Sequence, residues 1–200
     1  MEGGNWRAPR GRASMRRILL LGVLALFGPL AAWQPAASQE PPAAQHPGVE
    51  SLNFLLGKWV GEGTAETGQA GGGYCSFEPA LQEKTLIRRN HSEYPATKER
   101  PAIVHDDLMI IYPDRTRQQL RAFYTDNEGH VIHYTVTAAR DGKSAVFLGD
   151  AEAGAERYRL TYTVTEPGHM TIAFEMAPPG QPNQFQKFIE GKLRRSPEAK

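Results

Sequence analysis

The sequence has one cysteine in 200 residues, Cys75, so no disulfide can form within the chain. It also lacks a surplus of either charge, with 23 Lys and Arg against 22 Asp and Glu. Its one long apolar run, 18–32, contains Gly22, Gly28 and Pro29 and is shorter than the ~20 apolar residues that a membrane-spanning helix needs. Stability must therefore come from a hydrophobic core, and the run is not expected to remain as a membrane anchor.

The apolar run stands in the arrangement that is typical of a secretory signal peptide. Arginines precede it between positions 7 and 17, and small residues follow at 36–38. We predict that residues 1–38 form the signal, with cleavage near Ser38–Gln39 and export to the periplasm or out of the cell. Cys75 lies far beyond this region, so the new N-terminus carries no thiol for a lipid, and no stable membrane anchor is expected after cleavage.

The slightly basic balance belongs to that signal. Without residues 1–38, Lys and Arg fall from 23 to 18 and Asp and Glu from 22 to 21, which leaves a net charge of −3. A mildly acidic domain has no basic patch for nucleic acid or for an anionic membrane surface. We therefore expect neither among the partners.

The rest of the chain is predicted to be one β-rich domain, 49–196, between a proline-rich linker, 39–48, and a short tail, 197–200. Apolar residues at helical spacing predict a short helix that stops at Gly57. Segments rich in Val, Ile, Thr, Tyr and Phe then alternate with turn signals such as Asp141-Gly142. The predicted strands cover about 58–66, 73–79, 84–94, 107–112, 118–126, 130–138, 144–150, 156–165, 169–176 and 185–195.

A meander of about ten short antiparallel strands leaves exposed edges unless the sheet closes or stacks. We therefore predict an all-β, up-and-down, closed or nearly closed barrel with a short N-terminal helix. The glycine-rich stretch 68–73 lacks the Gly-Lys-Ser/Thr ending of a phosphate-binding loop and is predicted to be a mobile loop near the barrel mouth. Residues 96–104 and 178–182 are predicted to be two further loops.

The segment Leu55-Leu56-Gly57-Lys58-Trp59-Val60-Gly61-Glu62-Gly63 resembles the entry to the first strand of lipocalin-like (calycin) barrels. Together with residues 88–95, 105–109, 126–130 and 174–180, it resembles the DUF1579-type family of exported lipocalin-like bacterial proteins. The resemblance implies a lipocalin-like barrel in an exported setting. It also implies a small apolar ligand inside the barrel, as in most calycins.

The same opening is similar, more distantly, to that of nitrobindin-like and fatty-acid-binding-protein-like barrels. Nitrobindin-like barrels ligate haem iron through a histidine on the last strand. Residues 185–195 contain no histidine, so this mode of haem binding, and with it a cofactor, is not expected.

Trp59 stands where the chain enters the predicted barrel, between Gly57 and Gly61. A large aromatic side chain at a barrel base buries well, so we predict a structural role for this motif. An arginine from the end of the last strand, Arg194 or Arg195, is expected to stack over the indole as a cation–π lid.

Polar side chains occupy both faces of strand 84–94, with Arg88 on one face and Arg89 and His91 on the other. An arginine inside a barrel holds a carboxylate well, whereas charges on both faces also suit an exposed edge strand that resists aggregation. The sequence leaves these two interpretations open.

The favoured prediction is a non-enzymatic binding protein that holds a small hydrophobic or amphipathic molecule in the barrel. Tyrosines on neighbouring hairpins suit such a pocket, since each combines apolar bulk with a hydroxyl. The predicted polar contacts are Arg88, Arg89, His91, Tyr124, His133 and Tyr134.

The alternative is a hydrolase or isomerase on the same barrel. His91 or His133 would act as the base, polarised by a carboxylate from Asp107, Glu93 or Asp126. An envelope-interaction domain ranks third, because it needs an exposed apolar patch.

No catalytic residue and no metal site is predicted from the sequence. His105 and Asp107 share a strand face and could form a zinc site with His91. Such spacings arise easily by chance, and nothing fixes a third ligand.

Overall fold

The structure, a computed structural model, describes residues 48–62 and 72–197. The predicted signal, nearly all of the predicted linker and residues 68–71 of the glycine-rich stretch lie outside the described residues. Gly72 and Gly73, predicted as the end of a mobile loop, are strand residues paired with Glu93 and Ser92, so the prediction is wrong at these two positions.

The described chain is a closed barrel of ten antiparallel strands preceded by one short helix. The helix is a 3-10 helix, Val49–Leu55. The strands are β1 (Gly57–Glu62), β2 (Gly72–Ala80), β3 (Thr85–Tyr94), β4 (Ile103–Asp114), β5 (Gln119–Asp126), β6 (Val131–Ala138), β7 (Ser144–Gly149), β8 (Arg157–Glu166), β9 (His169–Ala177) and β10 (Gln186–Arg195). The predicted all-β barrel of about ten strands with a short helix is confirmed. No helix among the described residues is both long enough and apolar enough to cross a membrane.

Each strand pairs with its neighbours in sequence, and β1 closes the barrel against β10 through Trp59↔Arg195. β3 pairs with β2 on one side and β4 on the other. The interpretation of strand 84–94 as an exposed edge strand is therefore wrong.

β4 begins at Ile103, about four residues before the predicted start. Its first residues pair with the end of β3, as in Tyr94↔Ile103. The side chain of Asn127 then holds this extension, because its Nδ2 donates to the carbonyl of Val104 at 2.9 Å and its Oδ1 accepts from the backbone N–H of Asp106 at 3.1 Å. Because this amide belongs to a loop residue, the sequence of the strand itself does not indicate the extension.

The helix covers one end of the barrel, which we call the closed end. Leu52 and Leu55 are fully buried there, and the indole Nε1 of Trp59 donates to the carbonyl of Leu55 at 2.8 Å. Of the two arginines that the sequence offers as a lid, Arg195 lies over the Trp59 ring, with its Cζ 4.4 Å from the ring centroid. Arg194 pairs with Val60 and is exposed.

Gly57 is required at this closure for two reasons. Its φ of +99° belongs to the left-handed region, and a Cβ there would stand 2.7 Å from Nη1 of Arg195. That same guanidinium donates to the carbonyl of Leu56. Gly61 shows no such constraint, since its nearest neighbour to an added Cβ is 3.9 Å away.

Side chains fill the half of the barrel next to the closed end. Large buried residues meet there, and Tyr162 packs edge-on against Phe77 and Phe147 with ring centroids 5.4 and 5.9 Å apart. Each fully buried side chain of this size contributes about 1.5–3 kcal/mol. This packed half is the hydrophobic core.

The opposite half is open. Ile132, Tyr158 and Phe174 share strand faces with buried core residues, so they point inward, yet each is only partly buried. Tyr158 and Phe174 stack face to face, with centroids 5.6 Å apart and planes 10° apart. These inward-facing side chains are therefore not fully covered at this end of the barrel, which we call the open end.

Candidate functional site

A charged pair lies inside the barrel, between the packed half and the open half. Arg88 on β3 is 3% exposed and Asp107 on β4 is 8% exposed. Nη1 of Arg88 donates to Oδ1 of Asp107. A buried charge is tolerated only when it is paired and hydrogen-bonded, so each of these side chains holds the other in place.

His105 extends the pair toward the open end. It lies two residues before Asp107 on the same face of β4, and its Nε2 is 3.4 Å from Oδ2 of Asp107. Its Nδ1 is 3.0 Å from Oε1 of Glu128, in the loop between β5 and β6. The contact with Asp107, followed by that with Glu128, raises the pKa of His105 to about 9 against the opposing effect of burial. His105 is therefore protonated at neutral pH.

Tyr124 on β5 connects this histidine to a further carboxylate. Its hydroxyl donates to Oδ2 of Asp126 at 3.0 Å and lies 3.3 Å from Nε2 of His105. Asp126 also accepts backbone N–H bonds from Glu128 and His130, at 3.0 and 2.9 Å. Burial raises the pKa of Asp126, but these hydrogen bonds outweigh burial and leave it below its ordinary value. Asp126 is ionised and fixes the turn at the barrel rim.

We refer to Arg88, His105, Asp107, Tyr124, Asp126 and Glu128 as the interior polar cluster. It runs along the inner wall from the centre of the barrel to the open end. Exposure of the side chains rises along this path, from 4% at Arg88 through 23% at His105 to 48% at Glu128.

Two buried polar atoms beside the cluster have no hydrogen-bond partner among the described residues: Nε of Arg88 and the hydroxyl of Tyr162 on β8. The two groups are close, since the Arg88 guanidinium lowers the pKa of Tyr162 while burial raises it more strongly. The Arg88 guanidinium also lowers the pKa of the Cys75 thiol, but burial outweighs this effect and raises that pKa to about 11. An unpaired buried polar group costs about 1–3 kcal/mol, and such groups are few in folded proteins.

No protein-family model and no curated protein matches the chain. The resemblance to lipocalin-like barrels stays a prediction. What the protein does is therefore inferred from the interior polar cluster and the walls around it.

Three of the six predicted contact residues face the interior. Arg88 and Tyr124 belong to the interior polar cluster, and Tyr134 is 1% exposed with its ring 6.3 Å from that of Tyr124. Arg88, Tyr124 and Tyr134 lie on β3, β5 and β6, and Asp107 lies between them on β4.

The other three lie on the outer face, since side chains alternate along a strand. Arg89 contacts Glu78 at 3.4 Å, with more than half of its side chain exposed. His91 lies between Asp106 on β4, at 2.7 Å, and Glu93 on its own strand, at 3.1 Å. His133 packs beside Phe123, with ring centroids 5.5 Å apart. These three side chains do not line the barrel interior.

Five residues of the site were not among the predicted ligand contacts: His105, Asp107, Asp126, Glu128 and Tyr162. A signal for the first two exists, because they share the parity of the buried residues Met109 and Ile111 on β4. Within the described ranges, no group of three or more His, Cys, Asp or Glu is arranged to hold a metal ion.

Proposed function

We propose that this protein is an exported, non-enzymatic binding protein that holds one small amphipathic molecule in the open half of its barrel. The observation that carries the proposal is the pair of buried polar groups, Nε of Arg88 and the Tyr162 hydroxyl, that have no hydrogen-bond partner among the described residues and lie near inward-facing side chains that are only partly buried. A bound molecule with a polar end would supply the missing hydrogen bonds.

The side chains between the interior polar cluster and the open end suit the apolar part of such a molecule. Ile132, Tyr158, Ile172 and Phe174 give an apolar lining that is partly exposed before anything binds. Covering apolar area with a ligand is worth roughly 25 cal/mol per Å². A ligand would therefore place its apolar body against these walls and its polar group toward Arg88.

Export is part of the proposal and is supported by the sequence of residues 1–38 alone. The exported protein should then have a mass that corresponds to an N-terminus near Gln39. An intact mass that retains the arginines before position 18 would contradict this part.

The alternative enzymatic function has weaker support. His105 is the histidine that points into the barrel beside carboxylates, but its pKa of about 9 leaves it protonated at neutral pH, where a general base must be neutral. His91 and His133, the two predicted bases, lie on the outer face. A binding role therefore fits the interior better.

The test compares neighbouring residues on the two faces of β6. Ile132→Asp places a charge on the inner wall, whereas the matched control Val131→Asp places one on the outer face, where Val131 is 56% exposed. The uncharged fluorophore Nile red should bind the wild-type protein saturably at one site. We expect Ile132→Asp to weaken this binding at least tenfold and Val131→Asp to leave it unchanged. Absence of saturable binding, or equal effects of the two variants, would overturn the proposal.

A further inference from the structure

We infer, on the basis of the proposed function, that the buried polar group of the ligand is uncharged: a carbonyl or hydroxyl oxygen, as in a ketone or alcohol, and not a carboxylate. The geometry that points to this is a guanidinium whose charge is already matched by protein carboxylates but whose Nε–H has no acceptor in the part of the chain that the structure describes.

The charges around the site leave no positive surplus. Arg88 and the protonated His105 face the three carboxylates Asp107, Asp126 and Glu128. Even when the exposed His130, whose Nδ1 lies 2.9 Å from Oδ2 of Asp126, is counted as a cation, the positive groups do not outnumber these carboxylates. Among the described residues, the remaining titratable side chains on the inner face are phenols and a thiol that are neutral, since burial raises the pKa of each: Cys75, Tyr94, Tyr124, Tyr134, Tyr158 and Tyr162. An anionic ligand would add a further negative charge beside Asp107.

The unpartnered atoms also define the hydrogen bonds that a ligand must make. Nε of Arg88 can only donate, whereas the Tyr162 hydroxyl can donate or accept. A carbonyl oxygen can accept from both, and a ligand hydroxyl can accept from Arg88 while it donates to Tyr162. An ammonium group has no lone pair with which to accept a hydrogen bond from Arg88, so a cationic ligand is excluded as well.

Arg88 donates from Nη1 to Asp107, while its Nε–H, on another edge of the guanidinium, has no acceptor among the described residues. The ion pair therefore sets the selectivity by charge: Asp107 already balances the charge of Arg88, so a second buried anion is disfavoured, and Nε–H stays free to donate to a neutral acceptor.

The experiment measures displacement of Nile red from the wild-type protein at pH 7.4 by matched ten-carbon ligands: decan-1-ol, decan-2-one, decanoate and decylamine. We expect the alcohol and the ketone to half-displace the probe at concentrations at least tenfold lower than decanoate or decylamine. Equal or stronger displacement by decanoate or decylamine overturns the inference and leaves the proposed function standing. If Nile red binds but none of the four displaces it, or if it does not bind, the proposed function fails as well.

Two variants test which groups are responsible. Asp107→Asn keeps the shape but removes the counter-charge, so decanoate should gain at least tenfold relative to decan-1-ol. Tyr162→Phe should weaken the alcohol and ketone about fivefold, the usual worth of one hydrogen bond. The matched control is Tyr74→Phe, because Tyr74 lies on the outer face of β2, 37% exposed, with the ammonium of Lys58 over its ring. An unchanged preference in a folded Asp107→Asn variant, or equal effects of the two tyrosine variants, contradicts the assignment; if Asp107→Asn does not fold, the wild-type series decides.

Discussion

Removal of Asp107 should destabilise the barrel far more than removal of the whole ion pair. Asp107→Leu leaves the Arg88 guanidinium buried at 3% exposure without its counter-ion, and an arginine cannot escape the cost by losing its proton. Breaking a buried pair in this way costs about 3–5 kcal/mol, a large part of the 5–15 kcal/mol that stabilises an ordinary domain. With a urea dependence of about 2 kcal/mol per M, the midpoint should fall by about 1.5–2.5 M.

The double variant Arg88→Met/Asp107→Leu replaces both charges by apolar side chains, which is often neutral or stabilising. We expect its midpoint to lie within about 0.5 M of the wild-type value. Arg89→Met, one residue along β3 on the outer face, is the control and should change stability by less than about 0.5 kcal/mol.

Urea unfolding followed by tryptophan fluorescence measures all three variants. The sequence has three tryptophans, and two of them lie within residues 1–38, so Trp59 reports alone in a chain expressed from Gln39 onward. A single variant that costs under 1 kcal/mol, or a double variant that costs as much as the single one, would refute the reasoning about burial of this pair.

Three further predictions concern His105, Gly57 and Cys75. In the folded protein the pKa of His105 is raised from 6.5 to about 9, so its contribution to stability is complete below pH 6.5 and is lost as the pH rises through 9. The urea midpoints at pH 6 and pH 9.5 should therefore differ less in His105→Gln than in the wild type. An equal difference in both proteins would contradict this expectation. Gly57→Ala should cost more than about 1 kcal/mol, because of its positive φ and the nearby Arg195, whereas Gly61→Ala should cost less; similar midpoints for both would count against the strain. Cys75, 2% exposed with a thiol pKa of about 11, should not react with a thiol reagent at pH 8 until the protein unfolds, and rapid labelling of the native protein would disprove its burial.

The fold was predictable because its signals are local. Alternation within each strand and turn signals such as Asp141-Gly142 indicated the hairpins, and a long meander has few ways to protect its edges. The early start of β4 was not predictable, since it depends on Asn127, more than twenty residues away from Val104.

The candidate site was only half predictable. Alternation placed Arg88 and Arg89 on opposite faces, but both faces of β3 are polar, so the strand itself could not say which one points inward. The answer depends on its neighbour: β4 places Met109 and Ile111 on the buried face, and Asp107 lies on that same face opposite Asn90. Pairing between strands is a property of the closed sheet, and therefore the partner of Arg88 could be assigned only from the structure.

The contact of Arg195 with Trp59 makes completion of the barrel depend on β10, the strand farthest along the chain from β1. Positions 59 and 195 are paired although nearly the whole domain separates them, so β1 keeps an unpaired edge until β10 is available. Pairings between such distant residues form slowly, because the chain loses entropy before it gains the contact. A chain cut after residue 190 therefore lacks every β10 residue that pairs with β1, and its barrel cannot close.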